Sequence, residues 1–205
     1  MKARDPRRQR TIDALLAAAE EVFAARPVEE VTVEEIAERA GVAVGSIYNS
    51  FGSKAGLHAA VIDRALDVDR EYMDRAYTPE RSPVDQLRAA AEQYLRFAME
   101  QPQFFRMLAF PAPLGNYAAA AETAARLARR VDEQNARMTA AIERGVADGT
   151  IRPVDARRAA TVLWASWNGV ISLAWRPDDL REDEQGLAEL LSLAADLVSW
   201  GLRRA

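Results

Sequence analysis

Residues Thr32 to Lys54 read T-V-E-E-I-A-E-R-A-G-V-A-V-G-S-I-Y-N-S-F-G-S-K, two short helical segments joined through a glycine. Thr32 is a good N-cap, and Glu35 three residues on completes a capping box, in which each side chain bonds the other residue's backbone N–H. Val31 and Ile36 take the two positions of a hydrophobic staple, which fixes the angle of the incoming chain. The first segment should stop near Ala40, because Gly41 accepts the left-handed backbone that ends a helix without a Cβ clash. Val42 and Ile47 resume the apolar pattern, so a second helix begins near Ala43 or Val44. Ile36 and Ile47 can meet across the turn, and Ala37 is small enough to allow close approach. A helix-turn-helix is built this way, with its second helix presented outward to a DNA major groove. The same spacing suits a hairpin that only packs, and spacing alone leaves both readings open.

Working outward, Ile12, Leu15, Leu16, Ala19, Val22 and Phe23 form one apolar stripe of a helix from about Arg8 to Ala25, which Pro27 stops. On the other side Ser53 caps a fourth helix that carries Leu57, Val61, Ile62 and Leu66 and runs to about Met73. Y-T-P-E-R-S-P at Tyr77 to Pro83 reads as a joint, and Ser82-Pro83 as a helix start. A fifth helix follows to Glu100, then a short aromatic one from Phe104 to Phe110. A long helix spans roughly Tyr117 to Ala147, an eighth Asp155 to Trp175 and a last about Glu184 to Arg203. Strand signals are few, so the fold class expected is all-α.

The 205 residues suffice for one large domain or two, and no apolar run is long enough to cross a membrane. There is no cysteine, hence no disulfide and no thiolate metal site. With a charged, leaderless N-terminus, a cytoplasmic protein is expected. The net charge of −4 does not announce a nucleic-acid binder. Its distribution says more: Lys2, Arg4, Arg7, Arg8 and Arg10 crowd the N-terminus, while Glu29, Glu30, Glu34, Glu35 and Glu38 make the first hairpin helix acidic.

A-G-V-A-V-G-S-I-Y-N-S-F-G-S-K, preceded by T-I-D-A-L-L-A-A-A-E-E-V-F, resembles the TetR family of bacterial transcriptional regulators. The resemblance is dense from about Arg10 to Leu66 and elsewhere extends only to length and helical character. It implies a three-helix DNA-binding domain over residues 1–54, a connecting helix four over 54–73, and a helical ligand-binding and dimerisation domain over 77–205. The function it implies is that of a repressor, released from an inverted-repeat operator in double-stranded DNA by a small apolar or aromatic effector. No cofactor, metal or membrane is implied.

On the second hairpin helix, about Val44 to Ser50, Ser46 and Asn49 are the polar side chains able to address base edges, and Val44 could touch a thymine methyl. Tyr48 and Lys54 resemble the family's phosphate-binding tyrosine and lysine. Thr32 adds a helix N-terminus that favours an anion. The sequence departs from the family at Ala43, often a capping serine, at Val44, commonly polar or basic, and at Gly56, frequently acidic. Base readout is then expected to be sparse, with more resting on phosphates and DNA shape.

In the C-terminal region Tyr94, Phe97, Phe105, Met138, Trp164 and Trp167 recur at helical spacing, which by itself indicates core. The resemblance implies a cavity among helices five, seven and eight, and these residues are its expected lining. Asn168, an amide in an apolar stretch, needs a partner that a ligand, a backbone carbonyl or water could supply. Reading two half-sites about 34–36 Å apart needs two subunits, so a homodimer through helices eight and nine is expected, with Val170, Leu173, Leu190, Leu197 and Trp200 at the interface.

Two rival readings remain. Catalysis lacks equipment: one histidine, His58, expected to be partly exposed, no cysteine, and no G-x-S-x-G elbow. A helical protein-interaction module without DNA binding is the second, kept open by Val44 and the weak cap of its helix.

Overall fold

In this computed structural model residues 5–110 and 120–202 are described, with the side chains of 120–124, 127 and 198–202 outside the description. Among the described residues every regular element is helical: α1 (Pro6–Ala25), α2 (Val33–Arg39), α3 (Gly45–Phe51), α4 (Lys54–Ala76), α5 (Pro83–Glu100), α6 (Pro102–Ala109), α7 (Ala120–Ala147), α8 (Ala156–Ile171) and α9 (Glu184–Leu202). Short 3-10 turns lie at Val28–Glu30 and Ser172–Trp175. None of these helices is long and apolar enough to cross a membrane.

The chain forms two compact units, Met1–Asp67 with Gln103–Ala128, and Val68–Pro102 with Arg129–Ala205. This partition differs from a boundary near residue 77, because part of the chain beyond it joins the head. Met107 on α6 packs against the head's core, and Arg126 on α7 pairs with Asp63 on α4.

In the head unit each start and stop follows from local chemistry. α1 begins two residues earlier than the apolar stripe suggests, because Asp5 caps it by accepting from Arg7 N–H at 2.9 Å and Pro6 fits the first turn. Thr32 caps α2, its hydroxyl accepting from Glu35 N–H at 3.2 Å. The reciprocal half of the expected box is replaced, for Glu35's carboxylate pairs with Arg26. α2 closes in a Schellman motif: Val42 N–H reaches Ala37 O, Gly41 N–H reaches Glu38 O, both at 3.0 Å, and Gly41 takes φ +67°. Ile36, Ile47 and the staple residue Val31 are fully buried together with Leu15, Leu57 and Val61.

In the second unit Ser82 caps α5, accepting from Asp85 N–H, and Asp155 caps α8, accepting from Arg158 N–H. α8 gives way to a 3-10 turn at Ser172 rather than running to Trp175; the Ser172 hydroxyl donates to Gly169 O at 2.7 Å, a local bond that competes with helix continuation. α5 and α8 pack on each other and on α9, around the fully buried Phe97, Ile142, Ile171 and Leu187. Burying a side chain of that size contributes about 1.5–3 kcal/mol.

Candidate nucleic-acid interface and interior polar cluster

α3 divides its residues sharply between core and surface. Ile47 is fully buried, and Val44 and Phe51 pack on the head's core half-buried. Tyr48 is 52% exposed, Asn49 is exposed and Ser46 half-buried. Val44 sits at the N-cap without a side-chain cap bond, so its packing on the core is what the structure assigns it. A tyrosine and an asparagine held outward on a helix whose other face is locked can serve as donors to phosphate and to base edges.

Thr32 is exposed at the start of α2, its hydroxyl engaged by Glu35 N–H. Lys54 has a second task that sequence reading missed. Its ammonium donates to Val28 O and Val31 O, 2.8 Å each, which ties the 3-10 turn to the start of α4. Two of its three N–H bonds are thus spent on carbonyls. Arg7, Arg8 and Arg10 are exposed in the first turns of α1; Lys2 and Arg4 lie outside the described residues.

His58 is buried, not partly exposed as expected, because the first turns of α4 face α1. Its ring meets Phe23 edge-on at 5.0 Å. Burial pushes its pKa down to about 4, with Glu29 pulling weakly upward. The unfolded ring takes a proton near 6.5 and the folded one only near 4. Its contribution to stability is therefore full above 6.5 and drains away as pH falls toward 4. Asp69, in the second unit, runs oppositely. Burial raises it to about 6 against Gln134 and Arg137, so its contribution is present below 3.8 and lost as pH rises through 6. The His58 part is isolated by denaturant titrations of the native chain and His58→Leu. Between pH 7 and pH 5 the native chain should lose about 2 kcal/mol more than the variant; parallel losses would contradict the burial argument.

In the second unit Tyr94 on α5 donates to Asn168 Oδ1 at 2.8 Å, so this amide's oxygen has a protein partner. Trp164 on α8, half-buried, donates to Tyr94, whose phenol burial pushes well up. Tyr94 stands 6.2 Å from the Trp167 ring and 6.4 Å from Phe97, centre to centre, with Tyr72 5.5 Å from Phe97. Met138 is buried as well. Phe105 falls in the head unit, edge-on to Phe110.

Sequence reading missed Asp69. It is buried on α4, three residues after Leu66 and four before Met73, a spacing that places it on the apolar face. Its Oδ2 accepts from Gln134 on α7 at 2.7 Å, while Oδ1 has no partner in the protein, nor has Nε1 of the buried Trp167. Each unpaired buried group of this kind costs about 1–3 kcal/mol. Among the described residues no group of three or more His, Cys, Asp and Glu could hold a metal ion.

Of the residues expected at a subunit interface, Val170, Leu173 and Leu190 are half-buried and Leu197 is 67% exposed; the Trp200 side chain lies outside the described residues. Val162 on α8 and Leu193 on α9, 62% and 55% exposed, were not anticipated. α8 buries the polar Asn168 and exposes the apolar Val162, so periodicity could not say which face is outward.

Residues 15–61 match the sequence profile of the bacterial regulatory proteins, tetR family, and residues 87–197 that of the tetracyclin repressor-like C-terminal domain. The chain is 35% identical over 94 residues to the HTH-type transcriptional activator FasR of Mycolicibacterium smegmatis, covering 46% of this chain and 43% of that protein. It is 28% identical over 157 residues to the HTH-type transcriptional regulator RutR of Escherichia coli K12, covering 75% and 70%. The alignment thus spans under half the length of the first of these relatives. Among solved structures, FadR of Bacillus subtilis in complex with stearoyl-CoA has a TM-score of 0.75 at 17% identity, covering 93% of this chain and 98% of that one. AibR in complex with isovaleryl coenzyme A and operator DNA has 0.71 at 21%, covering 89% and 97%. Identities this low show a shared fold.

Proposed function

Because the chain belongs to the TetR family of bacterial regulatory proteins, we propose that it is a cytoplasmic transcriptional repressor that binds an inverted-repeat operator as a homodimer and leaves it when a small effector enters the second unit. The observation that carries this reading is α3, with Ile47 locked inward and Tyr48 and Asn49 held out. Tyr48 donates to a phosphate, Asn49 and Ser46 address base edges, and Lys54 and Thr32 add a positive charge and a helix N-terminus near the backbone. With Val44 turned to the core, direct readout is narrow and DNA shape carries more of the specificity.

The effector reading rests on the aromatic interior around Tyr94, Phe97, Met138, Trp164, Trp167 and Asn168. The relatives' structures with isovaleryl coenzyme A and stearoyl-CoA support an effector with an apolar body. α4 places Leu57 and Val61 in the head and Tyr72 and Met73 in the second unit. An effector that prefers one tilt of α4 resets the spacing of the paired reading heads, by no more than its difference in affinity for the two shapes. Regulation, not catalysis, is the function read here.

The test is a binding titration against the DNA flanking the protein's own gene. Tyr48→Phe should weaken binding to every duplex about equally, roughly tenfold per subunit for a hydrogen bond to a charged group. Asn49→Ala should instead change the preferred sequence. Unaltered binding in both variants would show the phosphate and base assignments to be wrong, and a native chain that binds no duplex would favour the interaction-module reading.

A further inference from the structure

We propose that the effector is anchored by an uncharged group that both donates and accepts hydrogen bonds, an amide or a hydroxyl, with Asp69 accepting from it and the Trp167 indole N–H donating to it. The inference rests on the ligand-responsive reading above and names the chemistry of its ligand.

Among the described residues five buried polar atoms lack a partner, three of them in this unit: the acceptors Asp69 Oδ1 and Gln93 Oε1 and the donor Trp167 Nε1. Asp69 is 7% exposed and uses only Oδ2, toward Gln134; Trp167 is 2% exposed and its Nε1–H meets no acceptor. The buried Gln86 is bonded at both ends of its amide, donating to Thr78 O and accepting from Arg144, and Asn168 Oδ1 is bonded by Tyr94. Tyr94 neighbours both residues. Its ring lies 6.2 Å from that of Trp167, and the charge on Asp69 acts on the Tyr94 and Tyr77 phenols. α4, α5 and α8 therefore bring an acceptor and a donor to the same aromatic surroundings. Native interiors pair such atoms, and in this proposal the bound effector supplies the missing partners.

The sense of the two atoms selects the ligand. A carboxylate would be repelled by Asp69. The Arg137 guanidinium cannot offset that repulsion freely, since it is paired with Asp74 at 2.7 Å and lies over the Tyr77 ring. An ammonium would suit Asp69 and leave the indole N–H unanswered. A neutral amide or hydroxyl answers both. Burial already holds the Asp69 carboxyl at about 6, so an N–H or O–H aimed at Oδ1 stabilises an ionised form that the surroundings disfavour.

The experiment uses three probes on one aromatic skeleton, phenylacetamide, phenylacetate and phenethylamine, titrated calorimetrically into the full chain. Phenylacetamide should bind at least about tenfold tighter than either charged analogue. Asp69→Leu and Trp167→Phe, the latter keeping an aromatic ring, should each remove most of that preference. Asp69→Leu should also raise the melting temperature of the ligand-free chain, because it removes a buried carboxyl that only one bond, from Gln134, answers, whereas a fully paired carboxylate would lower it on removal. Equal affinity for the three, preference for a charged probe, no binding of any of them, or a preference unchanged in Asp69→Leu would overturn the proposal. Operator binding is followed in the same samples. If it stands while the amide is ignored, this inference alone falls; if the amide binds and no duplex does, the regulator reading falls and the site survives.

Discussion

Gly56→Ala should cost the head unit about 3 kcal/mol of stability and with it most of its affinity for DNA. A Cβ placed on Gly56 would lie 2.0 Å from the Phe51 carbonyl oxygen and 3.2 Å from its carbon. Both are backbone atoms at the end of α3, so no side-chain rotation relieves the clash. Either α3 or the first turn of α4 has to move, and α3 is the element that carries Tyr48 and Asn49. Gly45→Ala is the matched control. Its Cβ meets nothing within 4 Å, and alanine there should raise stability by a few tenths to about 1 kcal/mol. Denaturant titrations of the two variants decide the matter; equal stabilities would mean that α3 and α4 do not approach as described. The close approach also accounts for a glycine where the family frequently has an acidic residue: no side chain fits.

The second large effect is expected at the α8–α9 surface. Leu193→Asp with Leu197→Asp should leave a folded monomer whose affinity for an inverted repeat is about 10²–10⁴-fold lower, because the second head then no longer binds as part of the same molecule. Both leucines are more than half exposed, so no core packing is lost with them. Val162 extends the same apolar character to α8. Sedimentation of the native chain and the double variant checks the assembly, and a titration checks the binding. A native chain that is already monomeric at micromolar concentration would remove the dimer from the account, as would a double variant that still dimerises.

What could be read in advance follows from where local chemistry decides. Thr32, Gly41, Ser53 and Ser82 act within a turn of themselves, and each does in the structure what its position implied. The burial of Ile36 and Ile47 in one core follows from that short geometry. Long-range choices were not legible. That Glu35 pairs with Arg26 rather than bonding back to Thr32, and that Lys54 reaches the carbonyls of Val28 and Val31, depends on how α1 and the 3-10 turn arrive beside them. His58 illustrates the same limit: its burial is set by Phe23, a residue of another helix. Asp69 was readable in principle, since its spacing from Leu66 and Met73 puts a carboxylate on an apolar stripe, but only the fold shows that Gln134 answers one oxygen and not the other. Along α8 the buried Asn168 and the exposed Val162 break the usual division of polar from apolar faces, which hides from the sequence that Val162 is outward.

The central claim is that α3 reads duplex DNA, and the direct measurement is the salt dependence of the native protein's binding to the duplex upstream of its own gene. Phosphate contacts release counterions, so the logarithm of the binding constant should fall linearly with the logarithm of salt concentration, with a slope of about −0.9 for each phosphate neutralised. A saturable complex with an inverted repeat, tight at low salt and steeply weakened as salt rises, is the result expected. No complex with any flanking duplex at low ionic strength, or one indifferent to salt, would contradict it.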